Sequence, residues 1–521
     1  MNWYKEDELI QELVRELLPE SVHAFADDQL ERLGAYTAGP VDERAAFTDR
    51  AGEPKLERYD KYGRQVSRVH VNEGYEKTAQ DIYGAGIVRY IHKKPEGEQE
   101  VPGYLYSFFQ GYLVSQAEAG FYCPVTLSMA AAYLLEAYGS PEQKDSWLTP
   151  MLSLRNTWEG ATFLTERQGG SDVGANTTEA LQTEDGSYRL YGEKYFASNA
   201  GRADVMMVLA RTPDAPDGTK GLSLFLVPKK QEDEERIVIR RLKDKLGVRA
   251  VPSGEVEFDG AEGFLVGEEF RGFAYMVEAL NLSRICNAVA SIGISRRALR
   301  EMRTYAEERM AFGGPLISYP MIQDTLVRLK VKLEAETRAV FSLGRLFAGW
   351  TETGEGSGYL RLMAALLKEE TADQAVHFAA EAMEMLGGNG YIEDFVTPRL
   401  LRDAQVLPLW EGSRNVLALE VLRLMEMDVP GTVLAGISAA PLQPYVQKLL
   451  EKEKEIQAMS REEKTRHIKP WMKQMVSVLE AEELFRAGRH QAGMTLIKSE
   501  LQERFGEGIG HWTLEEGRDL L

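Results

Sequence analysis

The chain has 521 residues, enough for three or four domains because single cores seldom grow beyond about 250–300 residues, and its 61 Lys+Arg against 81 Asp+Glu give a formal net charge of −20. That balance repels nucleic acid and anionic membranes on average and favours solubility. Cys123 and Cys286 lie far apart, outside any CxxC or Cys/His spacing, which argues against a disulfide framework or a structural zinc and fits a cytoplasmic, reducing setting.

In chain order, MNWYKEDELIQELVRELLPES reads as an acidic amphipathic helix rather than a signal peptide, and no uncharged stretch approaches membrane-spanning length. Residues 1–155 are mostly helical in pattern, with an irregular stretch, RYDKYGRQVSRVHV, at 58–71. Residues 156–270 change period. The runs at 205–211, 222–228, 236–241 and 254–260 are short, apolar or alternating, and separated by turn residues, which predicts a central antiparallel β domain. Helical periodicity returns over 271–429 in four stretches, 273–310, 320–351, 358–386 and 413–427, broken by glycine pairs at 313–314 and 387–388; such stripes predict a four-helix bundle. PGTVLAGISAAPLQP at 430–444 reads as a linker to an appended helical segment, 430–521. The expected fold class is therefore α+β in the order α–β–α.

No GxGxxG joins a strand to a helix, no GxxxxGK[ST] occurs, and neither HExxH nor GxSxG is present, so no metal site, P-loop or serine esterase is expected. Three stretches carry candidate chemistry. In FLTERQGGSDVGANTT, Gly169-Gly170-Ser171-Asp172 lets backbone N–H groups approach a flat or phosphorylated ligand. GEKYFASNAG sets Tyr195 and Phe196 before Ser198 and Asn199, an aromatic wall beside hydroxyl and amide groups. PLWEGSRNV places Glu411 between Trp410 and Gly412-Ser413. Read locally, Trp410 plugs the core and Glu411 opens a helix, where the dipole favours an acid.

TERQGGSD, EKYFASNA, ERMAFGGPL, EMLGGNGY and WEGSRN together resemble, in order and approximate spacing, the acyl-CoA dehydrogenase flavoprotein family, over roughly residues 75–427. RYDKYGRQV, TERQGGSDV and the C-terminal extension look most like its adaptive-response, AidB-like branch. The resemblance implies an FAD-dependent α,β-dehydrogenation of an acyl-CoA thioester, with Glu411 as the proton-abstracting base and Arg284 counted with it as catalytic. Such a base needs a water-poor setting that raises its pKa, which Trp410 and Val406-Leu407-Pro408-Leu409 could provide. The family's alternative base position, before the characteristic arginine, is Ser283 here, which favours Glu411.

For FAD, the resemblance implies Leu164, Thr165, Ser171, Phe196 and Ser198 around the isoalloxazine ring. Arg309 and Phe312 would hold the pyrophosphate–adenine half in a neighbouring subunit, Gly387 and Gly388 would approach the pyrophosphate, and Ser413 and Asn415 the adenosine. Ser171 and Trp410 are also expected against substrate. A homotetramer and an electron-transfer flavoprotein partner are implied, with a role in fatty acid metabolism. Pro320 and Glu384 depart from commoner glutamines. The competing reading is an AidB-like stress flavoprotein with a DNA-protective or binding role and little turnover. It needs a basic face, whereas 431–521 holds thirteen Lys/Arg against fourteen Asp/Glu. Only KTRHIKPWMK, 464–473, is locally basic, and it reads as a solvated interhelical turn; nucleic acid binding is disfavoured.

Overall fold

The computed structural model describes residues 1–92, 103–231 and 236–506. They divide into two compact units, Met1–Ser283 and Arg284–Leu521. In the first unit, helices α1 (Glu8–Leu17), α2 (Glu20–Tyr36), α3 (Asp42–Arg50), α4 (Glu73–Gly84) and α5 (Gly103–Tyr138) follow the expected helical region. Asp7 caps α1 and also accepts a 2.7 Å hydrogen bond from the Tyr112 hydroxyl of α5, so one buried carboxylate fixes the amphipathic N-terminus to the long apolar helix. The irregular stretch is instead a hairpin, β1 (Lys55–Tyr59) with β2 (Gln65–His70). Asp60 makes its turn by accepting the backbone N–H groups of Tyr62 and Arg64 at 2.8 and 2.9 Å. Neither strand carries a buried residue, which is why no apolar alternation marks them.

The β domain contains β3 (Gly160–Phe163), β4 (Glu179–Gln182), β5 (Tyr188–Ser198), β6 (Val205–Ala210), β7 (Ser223–Pro228), β8 (Ile237–Leu242) and β9 (Ser253–Leu265). They form one sheet in the order β3-β6-β7-β9-β5-β4, with β8 added on β9. The sheet is antiparallel, as expected, apart from one pair, β3 and β6, which runs parallel. The chain makes β4 and β5 at the far side before β6 returns beside β3, and that excursion sets the same direction. Its core gathers Phe163, Leu190, Val208, Phe225, Val227, Val256 and Phe258.

The unit boundary falls inside α6 (Gly272–Glu308). A two-residue hairpin follows, β10 (Met310–Ala311) with β11 (Gly314–Pro315), then α7 (Pro320–Thr353), α8 (Ser357–Leu386), α9 (Arg414–Glu426), α10 (Gln443–Ala458) and α11 (Arg461–Arg486). Pro320 stands at the first helical position of α7, where a missing N–H costs nothing. The stretch read as a linker is a short helix, Val429–Ala435, and a turn whose Pro430, Leu434, Ile437 and Leu442 are buried. Likewise KTRHIKPWMK is no solvated turn. It lies within α11, which packs on α7, α8 and α9, and Trp471 is fully buried with its indole N–H donating to the Leu449 carbonyl at 3.2 Å. Residues 507–521 of the expected appended segment lie outside the described residues.

A buried charge cluster joins α11 to the bundle. The Lys332 ammonium of α7 lies 2.9 Å from Glu370, 2.6 Å from Glu480, 3.1 Å from Glu500 and 3.7 Å from Glu336. Burial by itself would depress this lysine, but the carboxylates, Glu370 foremost, overturn that and hold it protonated. Glu336, Glu370 and Glu480 could together hold a metal ion, and the Lys332 ammonium already lies among their oxygens. Burial raises the Glu336 carboxyl above its ordinary pKa, against the pull of Lys332. Trp471→Ala should destabilise the second unit by about 3–5 kcal/mol, checked by denaturant unfolding followed by circular dichroism.

Candidate active site

Glu411 does not open a helix. Five residues of irregular turn follow the Thr397–Ala404 helix before Trp410, and α9 begins only at Arg414, with Ser413 in the N-cap position. Glu411 takes φ +59° and Gly412 φ +106°, two consecutive left-handed residues that fold the chain tightly at the carboxylate. A non-glycine residue pays strain there, so the surroundings must hold it. They do so through backbone carbonyls. The Arg284 Nε–H of α6 donates to the Glu411 oxygen at 3.2 Å, and the Asn287 amide, one turn on, donates to Leu407 at 3.2 Å. From α8, the Lys368 ammonium donates to Pro408 at 3.3 Å and to Gly412 at 2.9 Å.

Lys368 is 1 % exposed and Arg284 9 %. Part of Glu411 stays open to solvent, yet dense protein on its other sides removes hydration and raises its carboxyl above the ordinary value of 4.5; Lys368 and then Arg284 pull it back. Burial pushes Lys368 down to about 8 against the pull of Glu411. Trp410 is half-buried rather than a core plug, and Leu409 is 68 % exposed in the single chain, so of the expected apolar surround only Leu407 is fully buried. Lys368 and Asn287 were not among the expected site residues. The available signal was a charged trio, Lys368-Glu369-Glu370, inside the apolar α8.

The candidate cofactor residues fall in both units. In the first, Leu164 and Thr165 follow β3 half-buried, Ser171 is exposed, and Ser198 ends β5 with its hydroxyl 3.4 Å from that of Ser253. Phe196 is 60 % exposed. The neighbouring Glu166 is structural: its buried carboxylate accepts the N–H groups of Thr177 and Thr178 and the Lys194 ammonium at 2.8 Å, which fixes the loop after TERQGGSD. A Cβ on Gly170 would come 2.5 Å from the Thr165 hydroxyl, while Gly169 has open space around it and instead takes φ +116°, so the two glycines are required for different reasons.

In the second unit, Phe312 and Gly313 are the two positive-φ residues of the β10–β11 turn, and Phe312 projects with 98 % of its surface exposed. Arg309 is exposed beside it. Gly387 and Gly388 end α8 with open space where side chains would be, Glu384 is exposed, and Asn415 is exposed on α9. Taken separately, the first unit offers hydroxyls at Thr165 and Ser198 beside exposed Phe196, a set suited to the edge of a flat ring, and the second offers an aromatic and an arginine on a projecting hairpin and bare backbone at 387–388, groups suited to a phosphate-bearing ligand.

Three family models match the chain: the adaptive response protein AidB N-terminal domain over residues 1–156, the acyl-CoA dehydrogenase middle domain over 161–261 and the acyl-CoA dehydrogenase C-terminal domain over 271–425. The chain is 34% identical to acyl-CoA dehydrogenase family member 11 of Caenorhabditis elegans over 442 residues, 81% of this chain and 70% of the relative. The chain belongs to the acyl-CoA dehydrogenase family. It is also 36% identical to the putative acyl-CoA dehydrogenase AidB of Escherichia coli (strain K12) over 387 residues, 71% of this chain and 69% of that one. Among solved structures, the Bd2924 apo-form matches with TM-score 0.86 and 30% identity, covering 94% of this chain and 98% of that one. Caenorhabditis elegans ACDH-11 in complex with C11-CoA matches with TM-score 0.85 and 28% identity, covering 98% and 92%. Among the described residues no helix is long and apolar enough to cross a membrane.

A carboxyl whose folded pKa is raised contributes stability in acid and loses it as pH climbs through that pKa. Glu411→Gln should therefore melt higher than the parent at pH 8, with the gain shrinking toward pH 4–5, in paired thermal melts.

Proposed function

We propose that the protein is an FAD-dependent acyl-CoA dehydrogenase, cytoplasmic and homotetrameric, in which Glu411 removes the α-proton of an acyl thioester. The observation that carries this reading is the geometry at Glu411: a carboxylate on a left-handed turn, raised by lost hydration and moderated by two cations, in a chain of this family. A thioester α-proton is only weakly acidic, and a poorly hydrated carboxylate is the stronger base for it. Arg284 and Lys368 hold the turn's carbonyls, so the carboxylate keeps its aim, and the two cations moderate the rise in its pKa.

Thr165 and Ser198 serve as hydrogen-bond donors to the ring edge of FAD, beside Leu164, Ser171 and Phe196. Arg309 and Phe312 of a neighbouring subunit, Gly387, Gly388, Ser413 and Asn415 serve its pyrophosphate and adenosine. When bound, FAD supplies the two-electron acceptor for the β-hydride. Ser171 and Trp410 border the substrate, and an electron-transfer flavoprotein takes the electrons onward. The C11-CoA complex of the C. elegans relative supports an acyl-CoA as the substrate class.

The match to the AidB N-terminal model favours a second reading, an adaptive-response flavoprotein that binds or protects DNA. Against it, the locally basic stretch 464–473 has its aromatic in the core, and Lys473 faces Glu370 at 2.7 Å and Asp373 at 2.9 Å. A gel-shift titration across salt should show no binding at physiological ionic strength; tight, salt-dependent binding there would favour the second reading. Mixed anaerobically with a panel of acyl-CoAs that includes C11-CoA, the FAD-loaded protein should bleach. Glu411→Gln, with FAD retained, should bleach about 10²–10⁴-fold more slowly, and an unchanged rate would remove Glu411 from the role of base.

A further inference from the structure

In α8 the consecutive residues Lys368, Glu369 and Glu370 each meet a different set of partners. Glu370 belongs to the Lys332 cluster, and Glu369 pairs with Arg414, the first residue of α9 beyond the base turn. Lys368 alone addresses the turn itself, through the carbonyls of Pro408 and Gly412 that bracket Trp410 and Glu411. We infer that Lys368 is a positioning residue for the base: it clamps both ends of the turn and presents to Glu411 the positive charge that keeps the carboxylate ionised and ready to accept a proton. The inference rests on the reading of Glu411 as the base.

The charged groups around this pair can be named. Glu411 faces Lys368 and Arg284, and Lys368 also feels Arg284, which opposes its charge, and then Glu369 on its own helix. Arg284 is shared, because Glu420 of α9 acts on it more strongly than Glu411 does, while Glu420 is itself held by Arg361 at 2.6 Å. Lys368 is thus the cation whose charge falls chiefly on Glu411. Its compact ammonium can donate to two carbonyls at once from the end of a flexible stem, and unlike arginine it can lose its charge near neutrality. The residue is buried and sits beside a carboxylate of raised pKa, so the two groups titrate as a coupled pair. As pH rises past about 8 the ammonium deprotonates, the clamp loses a donor and Glu411 loses the stronger of its two positive influences.

The test compares the FAD-loaded parent with Lys368→Gln, which keeps an N–H donor without charge, and Lys368→Arg, which keeps charge that does not titrate. Two measurements are made on each: kcat and KM for C11-CoA against pH, and the protonated-carboxyl infrared band against pH, taken as the difference from the same protein carrying Glu411→Gln. Lys368→Gln should raise the infrared midpoint of Glu411 by about one pH unit or more and lower kcat about tenfold below that midpoint, with KM little changed. Lys368→Arg should restore the midpoint and abolish the fall in kcat above pH 8. A Glu411 midpoint that is the same in the parent and in Lys368→Gln would overturn the inference, whatever happens to thermal stability. A holoenzyme inert toward every acyl-CoA would instead sink the dehydrogenase reading, and the infrared midpoints would still decide the coupling of Lys368 to Glu411.

Discussion

Three adjacent charges on one buried helix organise the second unit. Successive residues of an α-helix point about 100° apart, so Lys368, Glu369 and Glu370 of α8 address three neighbours: the base turn, the start of α9, and α7 with the C-terminal helices. Charges this deep are tolerated only when each is paired and hydrogen-bonded, since removing one partner strands the other in a poor solvent. The bundle therefore has to bring Arg414, Lys332, Lys473 and Arg504 to these positions, and doing so fixes where the turn at Glu411 can lie.

That arrangement gives the helices after residue 430 a definite role in the bundle. Lys473 of α11 and Arg414 of α9 both bind Asp373, and both lie near Glu369, so the far helix and the start of α9 share carboxylates on α8. Trp471, two residues earlier on the same helix and so on another face, is fully buried with its indole N–H on the Leu449 carbonyl, adding apolar burial on a side of α11 away from the ionic contact. Lys473 and Arg504 spend their charge on carboxylates inside this unit, whereas Lys448, Lys454, Arg461 and Arg466 are exposed.

The turn at Glu411 shows how a function of the kind proposed for it and stability oppose each other. A left-handed backbone at Glu411 and a carboxyl held above its ordinary pKa both cost folding free energy, and four carbonyl hydrogen bonds from Arg284, Asn287 and Lys368 offset it. The residues proposed for the cofactor show the opposite economy. Phe312, Arg309, Gly387 and Gly388 lie on the surface of the single chain and contribute little to its core, which fits the role proposed for them.

Much of this was written in the sequence. The four long helices of 271–429 begin and end within a few residues of their expected limits, because 3.6-residue apolar periodicity and the glycine pairs are local signals. β6, β7, β8 and β9 were legible as short apolar or alternating runs, whereas the long β5 was not, its sequence mixing charged and aromatic residues without clear alternation; Glu411 was singled out only by the resemblance of WEGSRN to a family motif. What tertiary structure alone decided is non-local. The β1–β2 hairpin buries nothing and so leaves no pattern; the parallel β3–β6 pair follows from the path of the intervening strands; α11 is locally basic but is drawn inward by Trp471 and by carboxylates a hundred residues earlier. Lys368 reads as one more polar residue on a long helix until the fold sets two carbonyls, forty and forty-four positions later, around its ammonium. Periodicity along a chain encodes which face is buried, whereas the partner that meets each buried charge is fixed only when distant segments come together.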